Sequence, residues 1–179
     1  MKIVMVNILV CASVLSAIGQ APSRVNPVIR SQGGVFEIPY ADEKPDPSLV
    51  YNIVIEVERE SAKPDTINWA LNNVARLLNL HAVGGVPAKN MNVVIAIHGG
   101  ATYTTMSNDA YREKYKMDNP NLELYKELEK AGVRMVVCGQ SLVARKVDRT
   151  RLVPEVKVAV SMLTTLTTYQ MKGYAVLKF

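Results

Sequence analysis

Cys138 is the residue best placed to do chemistry. It closes a mostly apolar run, Val133-Arg134-Met135-Val136-Val137, and precedes Gly139-Gln140-Ser141, where a helix is expected to begin. A thiolate at that junction meets the free N–H groups of a first helical turn, which stabilise the anion and lower the thiol pKa. Arg145 and Lys146 follow about two turns later and add positive potential. The same position also suits a cysteine used as a small buried hydrophobe.

His98 ends a second apolar run, Val93 to Ile97, and precedes Gly99-Gly100. It can hydrogen-bond a substrate or share a proton with Cys138, or it can pin the following loop through backbone groups. A cysteine–histidine hydrolase needs the pair in contact and a third group that orients the imidazole; no third group stands out. A metal centre from Cys138, His98 and His81 lacks ligand spacing, so no metal or cofactor is expected. Gly99-Gly100 is neither a phosphate loop nor a dinucleotide signature; it reads as a tight turn or as an anion cradle. Arg145, Lys146, Arg149 and Arg151 form a solvated basic face or a guide for anions.

The elements that must position these residues follow from periodicity. Tyr51 to Val57, Val93 to Ile97, Val133 to Val137, Val156 to Val160 and Tyr174 to Phe179 read as strands. Pro64-Asp65-Thr66 is expected to open a helix with Ile67, Ala70, Leu71, Val74, Leu77 and Leu78 on one face. Asn119-Pro120 is expected to start another, carrying Leu122, Tyr125 and Leu128 to Gly132. Ser141 to Lys146 and Met162 to Tyr169 read as the last two helices, and residues between Gly100 and Asn119 as a polar stretch. Alternating strands and helices imply a three-layer α/β/α domain over 51–179. Its mostly parallel five-stranded, flavodoxin-like sheet has His98 and Cys138 on the C-terminal edge. Residues 20–50 hold Pro22, Pro27, Pro39, Pro45 and Pro47, which deny the segment a helix. They read as an extended arm with a short strand at Val35 to Ile38, or as a partly ordered leader.

The 179 residues are 49% hydrophobic and 21% charged, which suits one globular domain and excludes a disordered or fibrous chain. Residues 1–19 place Lys2 before a short apolar run ending in Ala17 and Gly19, the pattern of a signal peptide cut before Gln20. That implies a periplasmic or secreted protein with no stable membrane insertion after cleavage. Ile8-Leu9-Val10 lacks the small residues that precede a lipidated cysteine, so Cys11 leaves with the signal. Cys138 then has no internal partner, which points to pairing with another chain or to a free reactive thiol. The net charge of +5 mildly favours anionic partners. No basic stripe interleaved with aromatics marks a nucleic-acid surface.

Four segments together resemble the DsrE/DsrF-like family of TusD-like sulfur-relay subunits. They are Tyr51 to Val57, Trp69 to Val74, Val94 to Gly99, and Ala131 to Leu142 with its Val137-Cys138-Gly139-Gln140-Ser141 core. The resemblance runs over about residues 50–179. It implies a flavodoxin-like fold, homo- or hetero-oligomers, and a cysteine at Cys138 that carries sulfur as a persulfide. Arg145-Lys146 is similar to the basic pair that follows that cysteine. The resemblance implies a sulfur donor or acceptor that is a cysteine-bearing protein or a small anionic sulfur compound. His98, Gly99, Gly139, Gln140 and Ser141 would shape the site. The signal peptide and the arm set this chain apart from cytoplasmic relay subunits, as an exported branch. The contrasting expectation is an oligomeric binding module without turnover that uses the same strand-edge pocket.

Overall fold

The computed structural model describes residues 23–179; the expected signal peptide and Cys11 lie outside them. Strands β1 (Tyr51–Val57), β2 (Met91–Ile97), β3 (Arg134–Cys138), β4 (Val156–Ala159) and β5 (Ala175–Lys178) form one sheet in the order β4-β3-β2-β1-β5. Every pairing is parallel. The central strands are apolar on both faces, as strands covered from two sides must be. Ile55, Ile95 and Val137 pack with Leu71, Val74 and Leu78 of α1 (Trp69–Val83) and Leu124, Tyr125 and Leu128 of α3 (Leu122–Lys130). The alternate residues Val54, Val94 and Ala96 are buried on the opposite face. There α5 (Met162–Met171) packs on β1, β2 and β5.

This topology creates one special place. Leu142 of α4 (Gly139–Arg145) joins the core beside α1 and α3, so the chain leaves β3 toward that face. It leaves β4 toward the other face, through α5. Two adjacent strands that part in this way open a crevice between their C-terminal ends, where open α/β sheets bind ligands. Cys138 stands at that point.

Several expected boundaries move. Residues 64–66 form a turn, and α1 starts later because Asn68 caps it, its side chain accepting from the Ala70 and Leu71 N–H groups. Asn119 does not cap α3. Its Oδ1 accepts the Asn121 N–H, and its Nδ2 donates to the Thr104 and Met106 carbonyls, so 119–121 is a buried turn and Asn121 precedes the helix. The polar stretch folds into a 3-10 run, Gly99–Thr105, and a short helix, α2 (Asn108–Tyr115), of which only Ala110 and Tyr111 are buried. Val35 to Ile38 is not a strand. Val35 makes one antiparallel bridge with Val25, while Phe36 and Ile38 stay exposed. The arm is nonetheless docked, with Ile29 fully buried against the main core. Among the described residues no helix is long and apolar enough to cross a membrane.

Candidate functional site

Cys138 is the last residue of β3 and the N-cap of α4. It is 5% exposed. Burial pushes its thiol pKa up. The Met162 N–H, the Ser141 hydroxyl and N–H, and the Ser161 hydroxyl together pull it down further, so the thiol ionises below the ordinary value of 9.0. Sγ lies 3.9 Å from Ser161 Oγ. The donors come from the starts of two helices, α4 and α5, which meet at the crevice.

Linkage gives a measurable sign. The unfolded thiol holds its proton to higher pH than the folded one, so the native state gains stability as pH rises through the interval between the two pKa values. The difference in urea midpoint between wild type and Cys138→Ser is expected to widen in favour of wild type as pH climbs toward 9.0. The pH-dependent part of that difference is lost once pH falls below the folded-state value. A difference that stays flat with pH contradicts a stabilised thiolate.

His98 is placed by its backbone N–H, which donates to the Val57 carbonyl, and by its side chain, whose Nε2 donates to Glu56 Oε1 at 2.9 Å. Its side chain and that of Glu56 are 11% and 12% exposed. Glu56 is the orienting third group that did not stand out in the sequence. Its signal was present: it is the one charged residue in the strand Tyr-Asn-Ile-Val-Ile-Glu-Val, at a position that alternation puts on the α5 face. Lys178 of β5, register partner of Glu56, reaches Glu56 Oε1 at 3.2 Å and Glu58 Oε2 at 3.1 Å. Val57, Ile97 and Val137 form one register row. One residue further on, Glu58, His98 and Cys138 therefore line up along the C-terminal edge on the α5 side.

The remaining sequence candidates divide. Ser141 belongs to the site twice over, contacting the thiol and accepting the Gly99 N–H at 3.2 Å. Gly99 is the tight turn: its φ is +56°, and a Cβ there would sit 2.7 Å from the Glu58 carbonyl oxygen. Gly139 opens α4 against the end of β4, and Gln140 is exposed. Arg145 and Lys146 lie at the far end of α4, about 10 Å along the axis from its start. They line a cavity of about 270 Å³ with Tyr103, Lys114 and Arg151. Arg145 stands 6.0 Å from the Tyr103 ring centroid. They are not in the thiol pocket. His81 is also apart: its Nδ1 meets the Leu77 carbonyl, and its ring packs edge-on against Tyr51. Among the described residues only Glu56, Glu58 and His98 stand close enough to share a cation, and the Lys178 ammonium already bridges the two carboxylates.

The fold and the site define a flavodoxin-like α/β protein with one thiolate-favouring cysteine at the switch point of its sheet. The model of the DsrE/DsrF-like family matches residues 58–179, and the chain belongs to that family, which is linked to sulfur relay. Two solved structures share the fold. One is protein MTH1491, of unknown function, from Methanobacterium thermoautotrophicum, at 17% identity and TM-score 0.54, covering 72% of this chain and 99% of that one. The other is the ychN protein from E. coli, at 15% identity and TM-score 0.54, with the same coverage of both chains. No curated protein matches the sequence.

Proposed function

We propose that this chain is an exported sulfur carrier that holds sulfur as a persulfide on Cys138. The observation that supports it is the convergence of the Met162 and Ser141 N–H groups and two serine hydroxyls on the Cys138 sulfur. Such a pocket stabilises the nucleophile before loading and the leaving thiolate after delivery. In loading, the Cys138 thiolate attacks the outer sulfur of a donor persulfide, R–S–SH. The new S–S bond forms at Cys138, the donor S–S bond breaks, and R–S⁻ leaves. With thiosulfate the leaving group is sulfite. The basic residues Arg145 and Lys146 draw anionic donors by long-range attraction rather than by contact with the thiol. Mass spectrometry of the native chain after thiosulfate or glutathione persulfide treatment tests the reading. One added sulfur atom, confined to Cys138, supports it, and an unmodified chain rejects it.

One observation favours the reading as a binding module without turnover: the thiol is only 5% exposed. The two part on iodoacetamide. A carrier thiol is alkylated in the native state with an apparent pKa below 9.0, whereas a packed one reacts only on unfolding.

Export and assembly belong to the same proposal. Protein purified from the producing cell is expected to begin near Gln20 and to run as a homo-oligomer in light scattering. Met1 retained on a monomer contradicts both.

A further inference from the structure

We propose that His98 is the general base that deprotonates the acceptor thiol when Cys138 hands on its sulfur, with Glu56 as its positioning residue. The inference rests on the carrier reading and adds the proton path that delivery requires. An acceptor thiol must lose a proton before its sulfur can attack, because the thiolate is the nucleophile. The site contains one unused base for that proton. Glu56 takes the Nε2–H of His98, which leaves Nδ1 with its lone pair, and no group among the described residues hydrogen-bonds to Nδ1. The register row sets His98 beside Cys138 on the adjacent strand, on the same side of the sheet. Neighbouring strands lie about 4.8 Å apart, so a sulfur approaching Cys138 also approaches the imidazole.

The surroundings of the imidazole hold it in one orientation. Beside the imidazole stand Glu56 of β1, Glu58 just past the end of that strand and Lys178 of β5, while Cys138 closes the adjacent strand β3. Two carboxylates and one ammonium leave a net charge of one negative unit. Neither His98 nor Glu56 has much water around it, so the Nε2–Glu56 bond fixes the ring with little competition from solvent. The Lys178 bridge holds Glu56 in place against its register partner.

The step balances without a redox partner. The acceptor R–SH gives its proton to His98 Nδ1, and its sulfur attacks the outer sulfur of Cys138–S–SH. The R–S bond to that sulfur forms, and the S–S bond to Cys138 breaks. R–S–SH departs, Cys138 keeps the electron pair as thiolate in its pocket of donors, and the imidazolium later loses its proton to water. Loading from thiosulfate involves no acceptor thiol and does not need the base.

The test unloads persulfidated mature protein into two acceptors at neutral pH. Thionitrobenzoate is already ionised there, and 2-mercaptoethanol is almost wholly protonated. The ratio of the two unloading rates, thionitrobenzoate over mercaptoethanol, is expected to rise about a hundredfold in His98→Ala, the lower end of general-base effects. Added imidazole is expected to bring it back toward wild type. Glu56→Gln is expected to raise the same ratio about tenfold, and Glu56→Asp to restore part of it. A structural lesion slows both acceptors together and leaves the ratio where it was, which overturns the inference while the carrier reading stands. Wild-type protein that never takes up sulfur overturns both.

Discussion

Treatment with thiosulfate is expected to add one sulfur atom to the wild-type chain and none to Cys138→Ser, with the fold of the variant intact. Cys138 is the cysteine of the described residues, and the site offers no second nucleophile with the same surroundings. The loss of loading is therefore complete rather than partial. The stability of the variant follows from what touches the sulfur. Ser141 and Ser161 hydroxyls and the Met162 N–H surround it, so a serine hydroxyl finds partners in place of an apolar wall. If Cys138 were a packed hydrophobe, the same substitution would strand a hydroxyl without partners and lower the urea midpoint at neutral pH. Circular dichroism and the urea midpoint, read beside the mass spectrum, separate these cases. A variant that loads as wild type removes Cys138 from the mechanism. A variant that unfolds at neutral pH shows that the cysteine serves packing.

Much of this was legible in the residues. The strands announced themselves because Ile53-Val54-Ile55 and Val93-Val94-Ile95 are buried on both faces and so read as unbroken apolar runs. Cys138 and His98 were legible because each ends such a run, and parallel topology brings strand ends together. What escaped depends on register between distant segments. Glu56 and His98 are 42 residues apart, and Lys178 meets Glu56 across 122. No local pattern encodes those pairings. The thiol pocket is partly borrowed from Ser161 and Met162, which the β4–α5 connection delivers from 23 residues downstream for Ser161. The stretch 99–115 hid its 3-10 run and α2 because what it buries is mostly alanine and threonine (Ala101, Thr102, Thr104, Thr105, Ala110), which draw no apolar stripe to mark a helix. The caps Asn68 and Asn121 were displaced by prolines that looked like stronger start signals but sit in turns.

The arm carries the second large effect: Asn79→Ala is expected to cost about 2–4 kcal/mol and to release residues 25–36 to proteolysis. An asparagine in the middle of α1 is an unlikely core residue until its partners are counted. It is fully buried, and its Oδ1 accepts the Val28 and Ile29 N–H groups at 2.9 and 3.0 Å. Its Nδ2 donates to the carbonyls of Ile29, Gln32 and Gly33. Asn79 thus supplies most of the buried bonds of a loop that has a single backbone bridge of its own, with Asn26 and Asn72 adding others. Alanine removes their acceptor and leaves two N–H groups unpaired, one of them on the fully buried Ile29, and a buried donor stranded in that way costs about 1–3 kcal/mol. The neighbouring contact is tighter still. Gly33 has φ +71°, and a Cβ there would stand 2.5 Å from the Ala75 carbonyl carbon and the Arg76 nitrogen of α1. Gly33→Ala must therefore push the arm off the helix, since helix backbone cannot yield. Glu127 of α3 holds the same loop from the other side, accepting from the Ser31 hydroxyl at 2.6 Å and from the Arg30 and Ser31 N–H groups. This bond is exposed and stands apart from the buried core, so Glu127→Gln is expected to change stability by only about 0.5 kcal/mol. Urea melts of the three variants, with limited proteolysis read at the arm, give the order Gly33→Ala and Asn79→Ala far below Glu127→Gln. Equal stabilities for all three would mean that the arm contributes nothing to the fold. Because the arm covers α1 and α3 on the face opposite α5, its release is expected to leave sulfur loading at Cys138 unchanged in the fraction that remains folded.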